Sequence, residues 1–173
     1  MKLLYIILGI IVLLLLIAAF LPKTFELKAE TVINKPKQVV RDYGKLFANQ
    51  KNFSVRVMAD PNVKLEYNGI DGTVGARQSR DSSDKNVGKG EQEITKIDEG
   101  NSIEVEIRFE RPMKATNYAR GTYEDLGNGT TKVSQVFRGK NPRPMNLMSM
   151  LFLPKVEKDM QQNMDNLKAV LEK

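Results

Sequence analysis

Ser102-Ile-Glu-Val-Glu-Ile-Arg-Phe-Glu-Arg111 is the stretch on which the fold turns. Ile103, Val105, Ile107 and Phe109 alternate without a break against Glu104, Glu106, Arg108 and Glu110, the period of a half-buried strand. The apolar set faces inward. The Glu row faces solvent, with Arg108 and Arg111 beside it to balance the charge. Working outward, the same period predicts strands at Phe25–Ile33, Val63–Asn68, Val74–Arg80, Val87–Ile97, Lys114–Glu124 and Thr130–Arg138. Turn chemistry separates them, as in Asn68-Gly-Ile-Asp71-Gly72, Asp98-Glu-Gly100-Asn101 and Leu126-Gly-Asn128-Gly129. Links this short make neighbouring strands antiparallel.

Two helices flank the strands. Asn34 is placed to cap one, with Pro36 near its first turn and Val39, Val40, Tyr43, Leu46 and Phe47 recurring through Ala48. In the other, Val156, Met160, Met164, Leu167 and Leu171 form a single apolar stripe opposite Lys158, Asp159, Gln161, Gln162 and Asp165. A helix of that kind laid over an antiparallel sheet gives an α+β layer fold.

Composition removes whole classes of chemistry. The 173 residues hold no Cys, no His and no Trp. Cys nucleophiles, Ser-His-Asp triads, Cys/His zinc sites and disulfides are therefore excluded. Any general acid or base is Asp, Glu, Lys or Tyr. Lys and Arg number 27 against 21 Asp and Glu, a net +6, and this modest excess is spread along the chain. A nucleic-acid binder would gather it on one face with aromatics interleaved, so no nucleic-acid partner is expected. Gly88-Lys-Gly90-Glu lacks the third glycine of a dinucleotide fingerprint, and Asp81-Ser-Ser-Asp84-Lys-Asn86 lacks the spacing of a calcium loop. No cofactor and no metal site is assigned, and nothing in the sequence sets an oligomeric state.

Leu3 to Leu21 runs without a charge until Pro22 and Lys23 close it. As a helix it reaches about 28 Å, against a hydrocarbon core of ~30 Å. The expectation is a transmembrane anchor over residues 1–23 followed by one domain over 24–173. A cleaved signal peptide, with Ile17 and Ala19 before the cut, is the alternative; the absence of Ala-x-Ala and the length of the run speak against it. Lys23, Lys28, Lys35 and Lys37 would hold the domain in the cytoplasm by charge count. The short Lys-led start is instead that of a signal-anchor, and the expected placement is a single pass in the cell membrane with the domain outside.

The order of elements and several short strings resemble the polyketide cyclase/dehydrase and lipid-transport family of the START-like (SRPBCC) superfamily. The strings are Phe25-Glu-Leu-Lys-Ala-Glu-Thr-Val-Ile-Asn-Lys-Pro36, Val74-Gly-Ala76, Val87-Gly-Lys-Gly-Glu-Gln-Glu-Ile-Thr95, Leu126-Gly-Asn-Gly-Thr-Thr-Lys-Val133 and Pro144-Met-Asn-Leu-Met148. The resemblance covers residues 24–173. It implies a helix-grip fold, in which a curved seven-stranded sheet wraps a long C-terminal helix around an internal cavity. A short membrane anchor also precedes such domains among relatives. The chain departs from the family where relatives carry a Trp-rich segment, reading Asn52-Phe-Ser-Val-Arg56, and on the third strand, where Gln78 and Arg80 replace aromatics. The family has no universal catalytic motif, so no catalytic residue is carried over.

Alternation supplies a candidate cavity wall: Gln78, Arg80, Gln92, Val105, Ile107, Asn117, Tyr123 and Gln135, with Val74, Ala76, Gly88, Gly90, Ala119 and Gly121 on the same faces. Buried amides and a guanidinium need partners, so such a wall holds water or a polar-headed ligand. Arg80 either points inward, selecting an apolar ligand with an anionic or carbonyl head, or ends its strand and reaches solvent. The small residues serve ligand space or sheet curvature. Met145, Met148, Leu151 and Phe152, before Pro154, are candidates for the cavity entrance; the alternative is core packing under the sheet edge. The expected function is binding of a hydrophobic or amphipathic small molecule or lipid. A cyclase/dehydratase-type enzyme using Tyr, Asp or Glu in the cavity is the alternative, and a protein-interaction adaptor a third.

Overall fold

The computed structural model describes residues 2–173, apart from the side chains of residues 149 and 150. Helix α1 (Lys2–Phe20) leads into β1 (Thr24–Ile33), followed by α2 (Lys37–Gly44), a 3-10 turn (Phe47–Asn52) and α3 (Val55–Met58). Six strands follow: β2 (Lys64–Asn68), β3 (Arg77–Asp81), β4 (Lys89–Asp98), β5 (Ser102–Arg111), β6 (Ala115–Gly127) and β7 (Thr130–Lys140). Helix α4 (Asn146–Leu171) completes the chain. The strands form one antiparallel sheet in the order β1-β7-β6-β5-β4-β3-β2. The segment from α2 to α3 therefore crosses from one sheet edge to the other, and α4 returns over the same concave face.

Two irregularities in the β4–β5 pairing curve the sheet. Thr95 of β4 and Glu110 of β5 have no partner in register, and an extra residue on one strand bends it and increases its twist. The β6–β7 hairpin turns through Asn128 and Gly129, both at positive φ, the mirror-image turn that fits strand twist. Ile33, Val40, Phe47, Ile94, Ile103 and Val133 meet Met160, Met164 and Leu167 of α4 in the core. On the outer face the Arg108 guanidinium donates to Glu91 and Glu93 at 2.6 Å and to Glu106 at 2.5 Å. Those contacts hold the Glu93 carboxyl below its ordinary range, Arg108 being the main cause.

The structure corrects the sequence reading at several ends. Asn34 does not cap α2: Pro36 holds that position, and the Asn34 N–H donates to Glu172 Oε1 at 2.6 Å. Helix α2 stops at Gly44, where the Asp71 carboxylate accepts the Phe47 and Ala48 N–H groups and sets a 3-10 turn instead. Val74 lies outside β3, because Gly75 and Ala76 bond to Ile94 ahead of the strand. Gly88, at φ 68°, belongs to the turn before β4. Pro154 interrupts nothing: α4 passes through it, giving up one backbone hydrogen bond while side chains on both sides of it pack toward the sheet. Asp159 is half-buried rather than on a solvated face.

Candidate functional site

Sheet, α4 and the 44–56 segment enclose a cavity of about 360 Å³. Register builds its floor row by row. Ile103 stands opposite Gly121 and Gly121 opposite Gln135; Val105 opposite Ala119, and Ala119 opposite Phe137. Ile107 stands between Gln92 and Asn117. Gly121 and Ala119 leave room between larger neighbours. The roof is Met148, Phe152, Val156, Met160 and Met164 of α4.

The polar members fall into three groups. Gln92 Nε2 donates to Gln50 Oε1 at 2.7 Å and also to Gln78 Oε1, and Gln78 Nε2 donates to the Phe47 carbonyl at 3.2 Å and to the Tyr67 hydroxyl at 3.3 Å. This chain of amides fastens the 3-10 turn to the sheet. Asn117 and Tyr123 are buried on β6. Asn117 Oδ1 is buried without a hydrogen-bond partner, beside the space a Cβ at Gly139 would fill. Burial pushes the Tyr123 phenol up to about 12. The third group is cationic. Arg80 stands opposite Gly90, and Gly90 opposite Phe109; with no side chain between them, the Arg80 guanidinium lies 5.6 Å from the Phe109 ring centre. Its Nε is buried without a partner, and burial, aided by the like charge of Arg56, lowers Arg80 to about 10.

Of the residues read from sequence, Arg80, Gln92, Val105, Ile107, Asn117, Tyr123 and Gln135 line this cavity. Gln78 does not. It is 3% exposed but sits behind the Phe47–Gln50 backbone as part of the scaffold. At the proposed entrance Met148 and Phe152 line the void, and Phe152 is also 53% exposed, so it forms part of the rim with Met113. Met145 and Leu151 do not line it. Leu151 is 72% exposed, because on α4 it lies well round the helix from Val156, the centre of the face that carries Met148, Phe152 and Met160 into the cavity. Met150 lies outside the described side chains. Sequence reasoning missed Lys45, Arg56 and Asp159, which also line the cavity. Asp159 is the single carboxylate among the lining residues and faces Arg56 at 3.9 Å. They come from non-strand segments, where no alternation marks an inward face.

The rim adjoins the end of α1. Asn141, in the cavity lining, donates its backbone N–H to the Lys23 carbonyl at 2.7 Å. Arg143 Nε donates to the Ala18 carbonyl at 3.1 Å, and a second nitrogen to Ala19. Asn146 Nδ2 donates to Ala18 at 2.8 Å and to Leu21 at 3.1 Å. The carbonyls that a helix C-terminus leaves without partners are thus capped by the domain, one cap being a cation at the negative end of the dipole.

A curved antiparallel sheet gripping one long helix around a void defines a helix-grip domain. The chain belongs to the polyketide cyclase / dehydrase and lipid transport family, whose pattern matches residues 24–172. Among solved structures, norcoclaurine synthase from Thalictrum flavum, in complex with dopamine and hydroxybenzaldehyde, superposes with a TM-score of 0.63 at 13% identity, over 86% of this chain and 87% of that one. A hypothetical protein from Helicobacter pylori gives 0.64 at 11% identity, over 85% and 88%. A protein from Chromobacterium violaceum gives 0.58 at 16% identity, over 88% and 99%. No curated protein matches the sequence.

Proposed function

We propose that residues 24–173 form a ligand-binding domain for a hydrophobic or amphipathic small molecule or lipid, held at the outer face of a cell membrane by residues 1–23. The observation that carries this reading is the cavity of about 360 Å³, within the ~300–1,000 Å³ of small-molecule sites and walled mainly by apolar side chains. The anchor rests on α1, whose Leu, Ile and Val side chains are exposed along its whole length and need a lipid cover. Because Arg143 and Asn146 hold the end of α1 beside the Met148–Phe152 rim, the anchor sets the cavity mouth near the bilayer surface, where an apolar ligand is stored. Binding is favoured over catalysis by the titratable groups of the lining: among the described residues Asp159 is its one carboxylate, without a second in the lining with which to divide acid and base roles.

Filling the void tests the reading. Ala119 is buried at its floor, so Ala119→Phe occupies ligand space without opening the fold. The full chain in phosphatidylcholine nanodiscs should bind a fluorescent apolar probe above the level of empty nanodiscs. Ala119→Phe should lose that binding by tenfold or more while its melting temperature holds. Equal binding by both proteins would remove the cavity as the site.

A further inference from the structure

We propose that the Arg80–Arg56 side of the cavity is an anion subsite, which receives the carboxylate or phosphate head of a single-chain amphipath. The inference rests on the cavity being a ligand site and adds which chemistry it selects.

Arg80 is the only lining side chain on β3. Among the described residues no carboxylate pairs with it, and its buried Nε has no hydrogen-bond partner. A desolvated guanidinium without an anion is costly, and the Phe109 ring compensates only on one face. The planar fork of N–H donors is what carboxylate and phosphate oxygens match. Arg56 lines the same void, and its one ion-pair partner, Asp159, stands at 3.9 Å, the loose end of a salt bridge. Lys45 also lines it, tied to Asp42 at 3.1 Å. With Lys45 neutralised by Asp42, the lining sets Arg80 and Arg56 against the one carboxylate of Asp159, an excess of one positive charge that a bound anion offsets.

Elsewhere on the sheet each arginine already has its anion: Arg108 on Glu91, Glu93 and Glu106, Arg111 on Asp81, Arg138 on Glu26. Arg80 differs because it lies on the concave face, where the carboxylates do not. From Phe109 the apolar wall continues along β5 through Ile107 and Val105 to Ile103, about 20 Å of strand, which gives a tail its path. The volume of about 360 Å³ is at the small end for ligand sites, which suits one chain rather than two.

The test uses the full chain in phosphatidylcholine nanodiscs, with dodecanoate, dodecyl phosphate and dodecanol displacing a fluorescent apolar probe. Empty nanodiscs supply the partition background. The wild-type protein should prefer at least one of the two anions over dodecanol by tenfold or more; which anion wins identifies the head. Arg80→Met should weaken the preferred anion roughly ten- to a hundredfold and leave dodecanol within about twofold. Arg56→Met should act in the same direction by less, which keeps the test decisive should Arg80→Met fold poorly. Arg77→Met, which removes an outer-face charge paired with Glu93, should change neither ligand and so controls for net charge. Binding of all three amphipaths with equal affinity, or an Arg80→Met loss equal for anion and alcohol, would overturn the subsite and leave the cavity standing. Failure of the probe itself to bind would overturn both.

Discussion

At Gly90 a Cβ would meet the Arg108 carbonyl oxygen at 2.6 Å, and any side chain there would also stand between Arg80 and the Phe109 ring. Gly90→Val is therefore expected to cost about 1–3 kcal/mol through crowding at the bulge, read as a lower denaturant midpoint with unchanged slope. An unchanged midpoint would mean that the β4–β5 bulge relaxes freely. Tyr123 makes a second prediction, in pH. Its phenol takes no hydrogen bond among the described residues, and burial raises it to about 12, against ~10 in the unfolded chain. The raised value means the folded state holds its proton longer. The contribution is thus fully present below pH ~10 and is lost as pH rises through about 12, about 2–3 kcal/mol in total. Tyr123→Phe should remove that alkaline loss from urea midpoints measured across this range. The same slope in both proteins would assign it to other groups.

Helix α4 shows what periodicity resolves and what it does not. Met160, Met164 and Leu167 are buried as their spacing predicts. Met164→Asp or Leu167→Asp should destabilise by at least about 3 kcal/mol, since each buries an unpaired charge. Asp165→Ala, on the exposed side, should shift the midpoint by less than about 0.5 kcal/mol; similar melting temperatures for all three would contradict the packing of α4 on the sheet. Beginning at Asn146, the helix is longer than its stripe implied, because packing of Met148 and Phe152 over the sheet carries it through Pro154, which sequence rules treat as a break. The strands were legible for the same reason as the stripe: one face is apolar, and alternation records it. β3 was overextended because Val74-Gly-Ala reads as strand, while hydrogen bonds to Ile94 make it a connection. At the site, alternation marked the inward face of β3 to β7, including Arg80, but could not tell Gln78, walled off by Phe47, from Gln92, which reaches the void. Lys45 and Arg56 carry no periodic signal, and the helical period put Asp159 on the polar face of α4; only the fold brings the three to the same cavity as Arg80.

Over the whole molecule, α1 and the domain are joined by side-chain caps as well as by the chain. Arg143→Ala with Asn146→Ala removes the donors to Ala18, Ala19 and Leu21. The double variant should remain with membranes after carbonate extraction, as the wild type should, because the apolar surface of α1 is untouched. It should nevertheless lose the fixed distance between domain and bilayer. The absence of native Cys makes that measurable: a polarity-sensitive dye on Leu151→Cys should report an apolar setting in the wild-type background and water in the double variant. Release of the wild-type chain by carbonate would contradict the anchor, and an aqueous dye in both backgrounds would contradict the placement of the rim. The most direct measurement is photo-crosslinking of the full chain in nanodiscs with a diazirine-bearing fatty acid, followed by peptide mapping. A ligand seated in the cavity should label residues of the inner faces of β5, β6 and β7 together with α4 between Met148 and Met164, and Ala119→Phe should abolish that pattern. Labelling confined to Lys2–Phe20, unchanged by Ala119→Phe, would show lipid on the anchor alone and contradict a ligand inside the domain.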